Sequence, residues 1–208
     1  MNYDPRTGEH NLAHNPFTSL VVPRPIGWIS TINADGTVNL APYSFFNAVS
    51  AHPPMIMFCS AERKHSQINA ETQGEFVANL ATYDLRSEMN LTSAVVPDHV
   101  SEAEIASLDL APSKVVKPPR VARTPAALEC RYVQTVRLKG ADGEQFRGSM
   151  IIGQVVNIYI DDAIIEDGMI DLLKVKPLSR LGYLDYATVH EIFAMDRPGP
   201  VYADAKAG

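Results

Sequence analysis

Two short segments concentrate the side chains able to hold a ligand. The first is Asn39-Leu40-Ala41-Pro42-Tyr43-Ser44-Phe45-Phe46-Asn47, set between stretches rich in β-branched residues. Aromatic rings, small polar groups and a proline at an irregular strand end leave N–H and C=O groups outside any ladder. Such groups can bond the edge of a flat heterocycle while Tyr43 or Phe45 packs on its face. The same residues also suit a β-bulge at a barrel rim, with the aromatics filling core. The second segment, Ser60-Ala61-Glu62-Arg63-Lys64-His65-Ser66, follows an apolar strand and opens a predicted helix. Backbone N–H groups and the dipole at a helix start favour an anion. Arg63, Lys64 and a hydroxyl from Ser66 would add charge-assisted bonds to a phosphate. A solvated loop with Ser66 as an ordinary N-cap is the alternative. Together, a heterocycle-shaped patch and an anion corner joined by one strand fit a nucleotide-like cofactor with a terminal phosphate.

Other chemistries find little support. No GxGxxG follows a strand, and GxxxxGK[ST], GxSxG and HExxH are all absent. Cys59 and Cys130 form no CxxC pair and sit in apolar runs, so both read as buried small hydrophobes. His10 and His14 lie four apart, but Asn11, Asn15 and Pro16 oppose a helix there, and a solvated arm is expected. His52, His65, His99 and His190 are candidate proton donors without a partner pattern. No catalytic side chain and no metal ligand is assigned.

The elements that must position these groups are mainly strands. Residues 26–32, 37–41, 55–59, 75–80, 127–138 and 149–160 are rich in Val, Ile and aromatics. Asp35-Gly36 and Gly140-Ala141-Asp142-Gly143 supply hairpin turns. The stretch Met55–Cys59 is wholly apolar and reads as buried on both faces. Residues 42–50 break the alternation. Short helices are expected from Ser66, closed by Gly74, from Asp84 and at 102–107, within a proline-rich loop region spanning 93–125. Adjacent strand runs with helices inserted between some of them favour an antiparallel sheet closed into a barrel with peripheral helices.

The 208 residues carry 18 Lys and Arg against 24 Asp and Glu, a net charge of −6, and 46 % are hydrophobic. These values suit one folded domain able to bury a core without staples. The mild acidity argues against nucleic acid as a partner. No apolar run reaches the roughly 20 residues that cross a bilayer. The polar N-terminus lacks a signal-peptide core, so a cytoplasmic address is expected.

The segments RPIGWISTINADGTVNLAPYSFFNAVSAHPPMIMF, RKHS, GEFVANL, MNLTSA and SRLGYLDYATV, in this order and spacing, resemble the flavin reductase-like, FMN-binding split-barrel family. The resemblance covers most of residues 17–190. It implies a six-stranded antiparallel split β-barrel, a homodimer, and FMN held noncovalently near the dimer interface. The domain is expected to span 17–195, after an arm at 1–16 and before a tail at 196–208. By position, Asn39, Ala41, Pro42, Tyr43, Ser44, Phe45 and Asn47 would line the isoalloxazine. Ser60, Arg63, Lys64 and Ser66 would lie near the ribityl phosphate. Asn90, Leu91 and Thr92 would approach from either subunit, and Arg180 with Tyr183–Tyr186 would cover the flavin. Many relatives carry small Ser and Thr residues where this chain has Tyr43-Ser44-Phe45-Phe46-Asn47, and the bulkier aromatics imply either a resident FMN or a restricted nicotinamide stack in place of those relatives' flavin shuttling. The implied activity is hydride transfer from NAD(P)H to the flavin and on to a small acceptor. The alternatives are an FMN-bearing electron carrier without efficient NAD(P)H turnover, or a split barrel holding haem or pyridoxal phosphate.

Overall fold

The computed structural model describes residues 1–97 and 99–198. Its main sheet has seven antiparallel strands. In chain order they are β1 (Gly27–Ile32), β2 (Val38–Tyr43), β3 (Phe46–Ala51), β4 (Pro54–Ser60), β5 (Glu75–Leu80), β6 (Ala126–Lys139) and β7 (Gln145–Ile160). Their order across the sheet is β2-β1-β5-β6-β7-β4-β3. One strand more than six is present. Phe46–Ala51 lacks alternation because it is exposed along most of its length, yet it pairs with β4 from Phe46↔Phe58 to Ala51↔Pro54.

The connectivity dictates the curvature. β2 and β3 are the two outermost strands, yet only Ser44 and Phe45 join them. Six flat strand spacings would part the edges by roughly 29 Å. Three Cα steps from Tyr43 to Phe46 reach at most about 11 Å. The sheet therefore curls far enough to bring these two strand ends together, and Ser44-Phe45 sits at that seam.

Turn chemistry sets the hairpins. Gly36 takes a φ of 91° after Asp35, whose carboxylate accepts from the Thr37 N–H at 2.9 Å. Gly143 takes a φ of 86° in the β6–β7 turn. Helix α1 (His65–Gln73) ends on Gly74 in the left-handed region, as its sequence suggested. Its start differs from expectation. Lys64 is the N-cap residue and Ser66 lies inside the first turn, because the Ser66 hydroxyl accepts from Asn39 instead of capping. Asp84 sits in a 3-10 turn ahead of α2 (Arg86–Leu91) and makes no cap bond. Helix α3 covers Glu102–Ile105.

The core lies on both faces of β1. Ile29 packs with Phe58, Phe76, Cys130 and Ile151 inside the curl. Trp28 and Leu40 pack with Leu85, Met89 and Val121 on the other side. Burying a ring such as Phe58, Phe76 or Trp28 stabilises by about 1.5–3 kcal/mol each. β4, by contrast, is buried on one face only. Ile56 and Phe58 point inward, whereas Met55, Met57 and Cys59 are half-exposed because nothing among the described residues covers that side. Cys59 is accordingly half-buried, and only Cys130 is a fully buried thiol. The 93–125 region is pinned to the sheet. Asn79 donates to the Trp28 carbonyl and accepts from the Val121 N–H, and Glu129 accepts from the N–H groups of Lys114 and Val115.

Of the expected C-terminal tail, residues 199–208 lie outside the described residues. No helix among the described residues is long and apolar enough to cross a membrane, and none of their His, Cys, Asp and Glu side chains form a metal-holding group of three or more.

Candidate functional site

The end of β2 and the start of α1 form two walls of one cleft of about 410 Å³. Asn39, Ala41, Pro42 and Tyr43 come from β2, and Lys64, His65 and Ser66 from α1. Thr92 to Val96 form the third wall, and Glu102 of α3 closes the floor. The volume falls within the range of small-molecule and cofactor sites.

Several expected ligand-binding groups turn out to hold the wall together. Asn39 is buried, and its amide donates to Thr31 Oγ1 at 3.1 Å and to Ser66 Oγ at 2.9 Å. The Tyr43 ring packs inward on Phe58 at 4.9 Å. Burial pushes the Tyr43 pKa up, with the Ser66 and Ser60 hydroxyls opposing. Ser60 donates to the Glu62 carbonyl. These residues shape the cleft from behind.

The backbone parity of β2 decides which peptide groups reach the cleft. Val38 C=O accepts from Ser101 Oγ, and Leu40 N–H donates to Glu102 Oε2 at 2.9 Å. Both therefore point away from β1, and Ala41 and Tyr43 point towards it, opposite Ile29 and Gly27. On the outer edge Pro42 offers a carbonyl and no N–H. Ser44 follows at the seam, outside the strand pairing.

At the other end, no side chain caps the first turn of α1, and Lys64 stands at its start in extended backbone. Uncapped N–H groups beside an ammonium have the chemistry to accept an anion. Arg63, in contrast, is not in the cleft wall and forms an ion pair with Glu71 at 2.7 Å. Glu71 also accepts from Gln67 and Thr135. Burial alone would raise its pKa, but the bonds from Gln67, Arg63 and Thr135 together lower it.

Phe45 and Asn47 face elsewhere. Phe45 is 46 % exposed with the Arg24 guanidinium 5.6 Å from its ring centre, and Asn47 is exposed on edge strand β3. Ser44 lines a neighbouring cavity of about 320 Å³ with Ile26, Met89, Asn90, Arg180 and Tyr186. The two spaces share Pro42 and Ser93. Arg180, Tyr186 and Asn90 are thus brought to the seam.

Glu102 was not foreseen. It is 5 % exposed, burial holds its carboxyl above the ordinary range, and the Leu40 N–H and nearby His65 oppose the shift. Locally it reads as one acid at a helix start, and only its bond to Leu40, 62 positions away, reveals its place. The rim at 94–96 likewise carries no local signal beyond loop composition.

Comparison with known proteins places this geometry. An uncharacterized protein of Halalkalibacterium halodurans is 34 % identical over 183 residues, covering 86 % of this chain and 87 % of that protein. The crystal structure of nitrilotriacetate monooxygenase component B from Bacillus cereus superposes with a TM-score of 0.85 at 30 % identity, covering 94 % of this chain and 98 % of that one. Pseudomonas fluorescens 2-nitrobenzoate 2-nitroreductase NbaA superposes with a TM-score of 0.81 at 26 % identity over the whole of both chains. The family described as "Flavin reductase like domain" matches residues 19–178, which include both walls of the cleft, and the chain belongs to this flavin reductase-like, FMN-binding split-barrel family of flavoprotein oxidoreductases.

Proposed function

We propose that the protein is an FMN-dependent oxidoreductase that takes hydride from NAD(P)H and passes reducing equivalents to a small acceptor. The observation that carries this reading is the pairing, in a chain of this family, of an uncapped helix start bearing Lys64 with the edge of β2 as two walls of a single cleft. The residues present fit the cofactor. Lys64 and the first N–H groups of α1 would hold the phosphate. Pro42 C=O and the Ser44 peptide would meet the ring edge, with the connected cavity giving room beyond it. The bond from Asn39 of β2 to Ser66 of α1 keeps the two ends in fixed register. Arg63 strengthens the positive field from outside the cleft while sharing its charge with Glu71.

FMN, when bound, supplies the two-electron chemistry, so no side-chain nucleophile is required. The chain's own part is to anchor the remote phosphate, orient the ring and leave one face open to a second molecule. We place the second subunit of a homodimer against the outer face of the sheet, near this cleft.

The test is direct. The purified full chain should quench FMN fluorescence stoichiometrically, hold FMN more tightly than riboflavin, and bleach anaerobically on adding NADH or NADPH. A protein that binds FMN without bleaching under either nicotinamide would be a carrier instead. One that binds no flavin would end this reading.

A further inference from the structure

A third space of about 510 Å³ is lined in part by Arg86, Ser87, Met89 and Asn90 of α2. It shares Met89, Asn90, Arg180 and Tyr186 with the cavity at the seam, which in turn shares Pro42 and Ser93 with the cleft, so the three spaces adjoin one another. Its floor is apolar, formed by the buried side chains of Met89 and Leu178. Its walls carry two arginines and no carboxylate.

Each guanidinium is held flat. Arg86 lies over the Tyr83 ring at 4.1 Å and donates to the Tyr83 carbonyl at 2.8 Å. Arg180 lies over the Tyr186 ring at 4.5 Å and donates to the Tyr183 carbonyl. Stacking fixes the plane and leaves the remaining N–H groups in a fork suited to a carboxylate or phosphate. Neither arginine has an ion-pair partner among the described residues. The nearby acid on α2, Glu88, is engaged by Arg123 at 2.9 Å. Arg24 stands directly across the ladder from Arg180, which adds like charge beside it. A buried Thr188 hydroxyl in the same wall has no hydrogen-bond partner. In a chain of net charge −6, such an unbalanced cationic site points to a ligand.

We propose that this cavity is the co-substrate site and takes a planar organic anion, its carboxylate or phosphate on Arg86 and Arg180 and its ring over Met89 and Leu178. This deepens the functional reading above and rests on it for the word co-substrate. The anion could belong to the nicotinamide donor or to an acidic acceptor, and both share the recognised chemistry.

Calorimetric titration with benzoate and with its neutral isostere benzamide reads the site without turnover. The FMN-loaded chain should bind benzoate more tightly, and Arg86→Ala and Arg180→Ala should each weaken benzoate by about ten- to hundredfold while leaving benzamide unchanged. Arg86 is exposed on its helix, so its variant should fold and keep FMN affinity. Arg86→Lys should recover only part of the loss, because it restores charge and not the stacked fork. Equal binding of the two probes to the unmutated chain, or an unchanged benzoate preference in both alanine variants, would overturn the proposal. Two kinetic arms locate the anion. A loss of NADPH or NADH bleaching rate in the variants assigns it to the donor, and a loss only in reoxidation by carboxylate-bearing acceptors assigns it to the acceptor. If the chain takes up no FMN, the earlier reading falls, and the same probe pair on the flavin-free chain still decides whether the anion site exists.

Discussion

At the residue scale, two neighbouring cations at the α1 start have different surroundings. Lys64 lines the cleft, whereas Arg63 is tied to Glu71 outside it. Removing a charge-assisted contact to a phosphate costs about 1.5–3 kcal/mol. Lys64→Ala should therefore weaken FMN by about ten- to hundredfold and leave riboflavin nearly unaffected, while Arg63→Ala costs FMN less than Lys64→Ala does. Fluorescence-quench titration of both flavins against both variants measures this, and an equal loss of riboflavin would remove the phosphate from this corner. Glu102 makes a second residue-scale case, with the sign set by burial. Its folded-state pKa is raised above the ordinary 4.5, so the fold prefers the protonated acid. The associated stability is complete below that ordinary value and is lost as pH rises through the folded value. Glu102→Gln keeps an oxygen to accept from the Leu40 N–H and carries no charge. It should melt at a higher temperature than the unmutated chain near pH 8, with the gap closing near pH 4. Glu102→Ala leaves that N–H unpaired and should lose about 1–3 kcal/mol at either pH, which thermal unfolding by circular dichroism resolves.

At the scale of elements, close approach between strands and rings decides what the sheet tolerates. A Cβ on Gly153 of β7 would stand 2.4 Å from two atoms of the Phe76 ring, which is fully buried. A Cβ on Gly27 of β1 would stand 2.3 Å from the Phe46 ring, which is only partly buried at the seam. The first ring cannot move away and the second can. Gly153→Ala should cost about 1–3 kcal/mol and Gly27→Ala clearly less, as chemical denaturation would show; the reverse order would mean that the seam is packed as rigidly as the core. These elements also show what the chain makes legible. Six strands stand out because period-two burial and β-branched composition act locally. Phe46–Ala51 does not, since an edge strand with no buried face has no alternation to display, and its pairing follows from the short turn to β4. The α1 start is legible to within two residues. The remaining offset arises because the Ser66 hydroxyl is claimed by Asn39 from another strand. In the site, the segments 39–44 and 60–66 are legible by composition, but their division into wall and ligand-facing groups is not. That division depends on the register of β2 against β1 and on the Arg63–Glu71 pair, whose spacing of eight follows no helical contact rule.

At the scale of the whole molecule, the curl leaves an apolar outer face. Ile56, Phe58 and Ile151 point into the core, so Met57, Cys59, Met150 and Ile152 point out. The register puts these side by side, with Met150 opposite both Cys59 and Val136, and Ile152 opposite Met57. Cys59 Sγ lies 3.9 Å from Met57 Sδ on this face. Edge strand β3 continues the surface with Val49, which is 48 % exposed. A contiguous apolar face of this kind, adjoining an unpaired strand edge, is what a second copy would cover. Ile152→Glu places a charge at the centre of this face, where desolvating an unpaired carboxylate opposes association. That variant should sediment as a monomer at micromolar concentration where the unmutated chain sediments as a dimer. Its circular dichroism should be unchanged, because Ile152 does not enter the core. If the cofactor cleft is completed by the partner subunit, the monomeric variant also loses FMN affinity. A monomer that keeps full FMN affinity would show that each chain holds its flavin alone, and an unmutated chain that is already monomeric would leave this face for a different protein to cover.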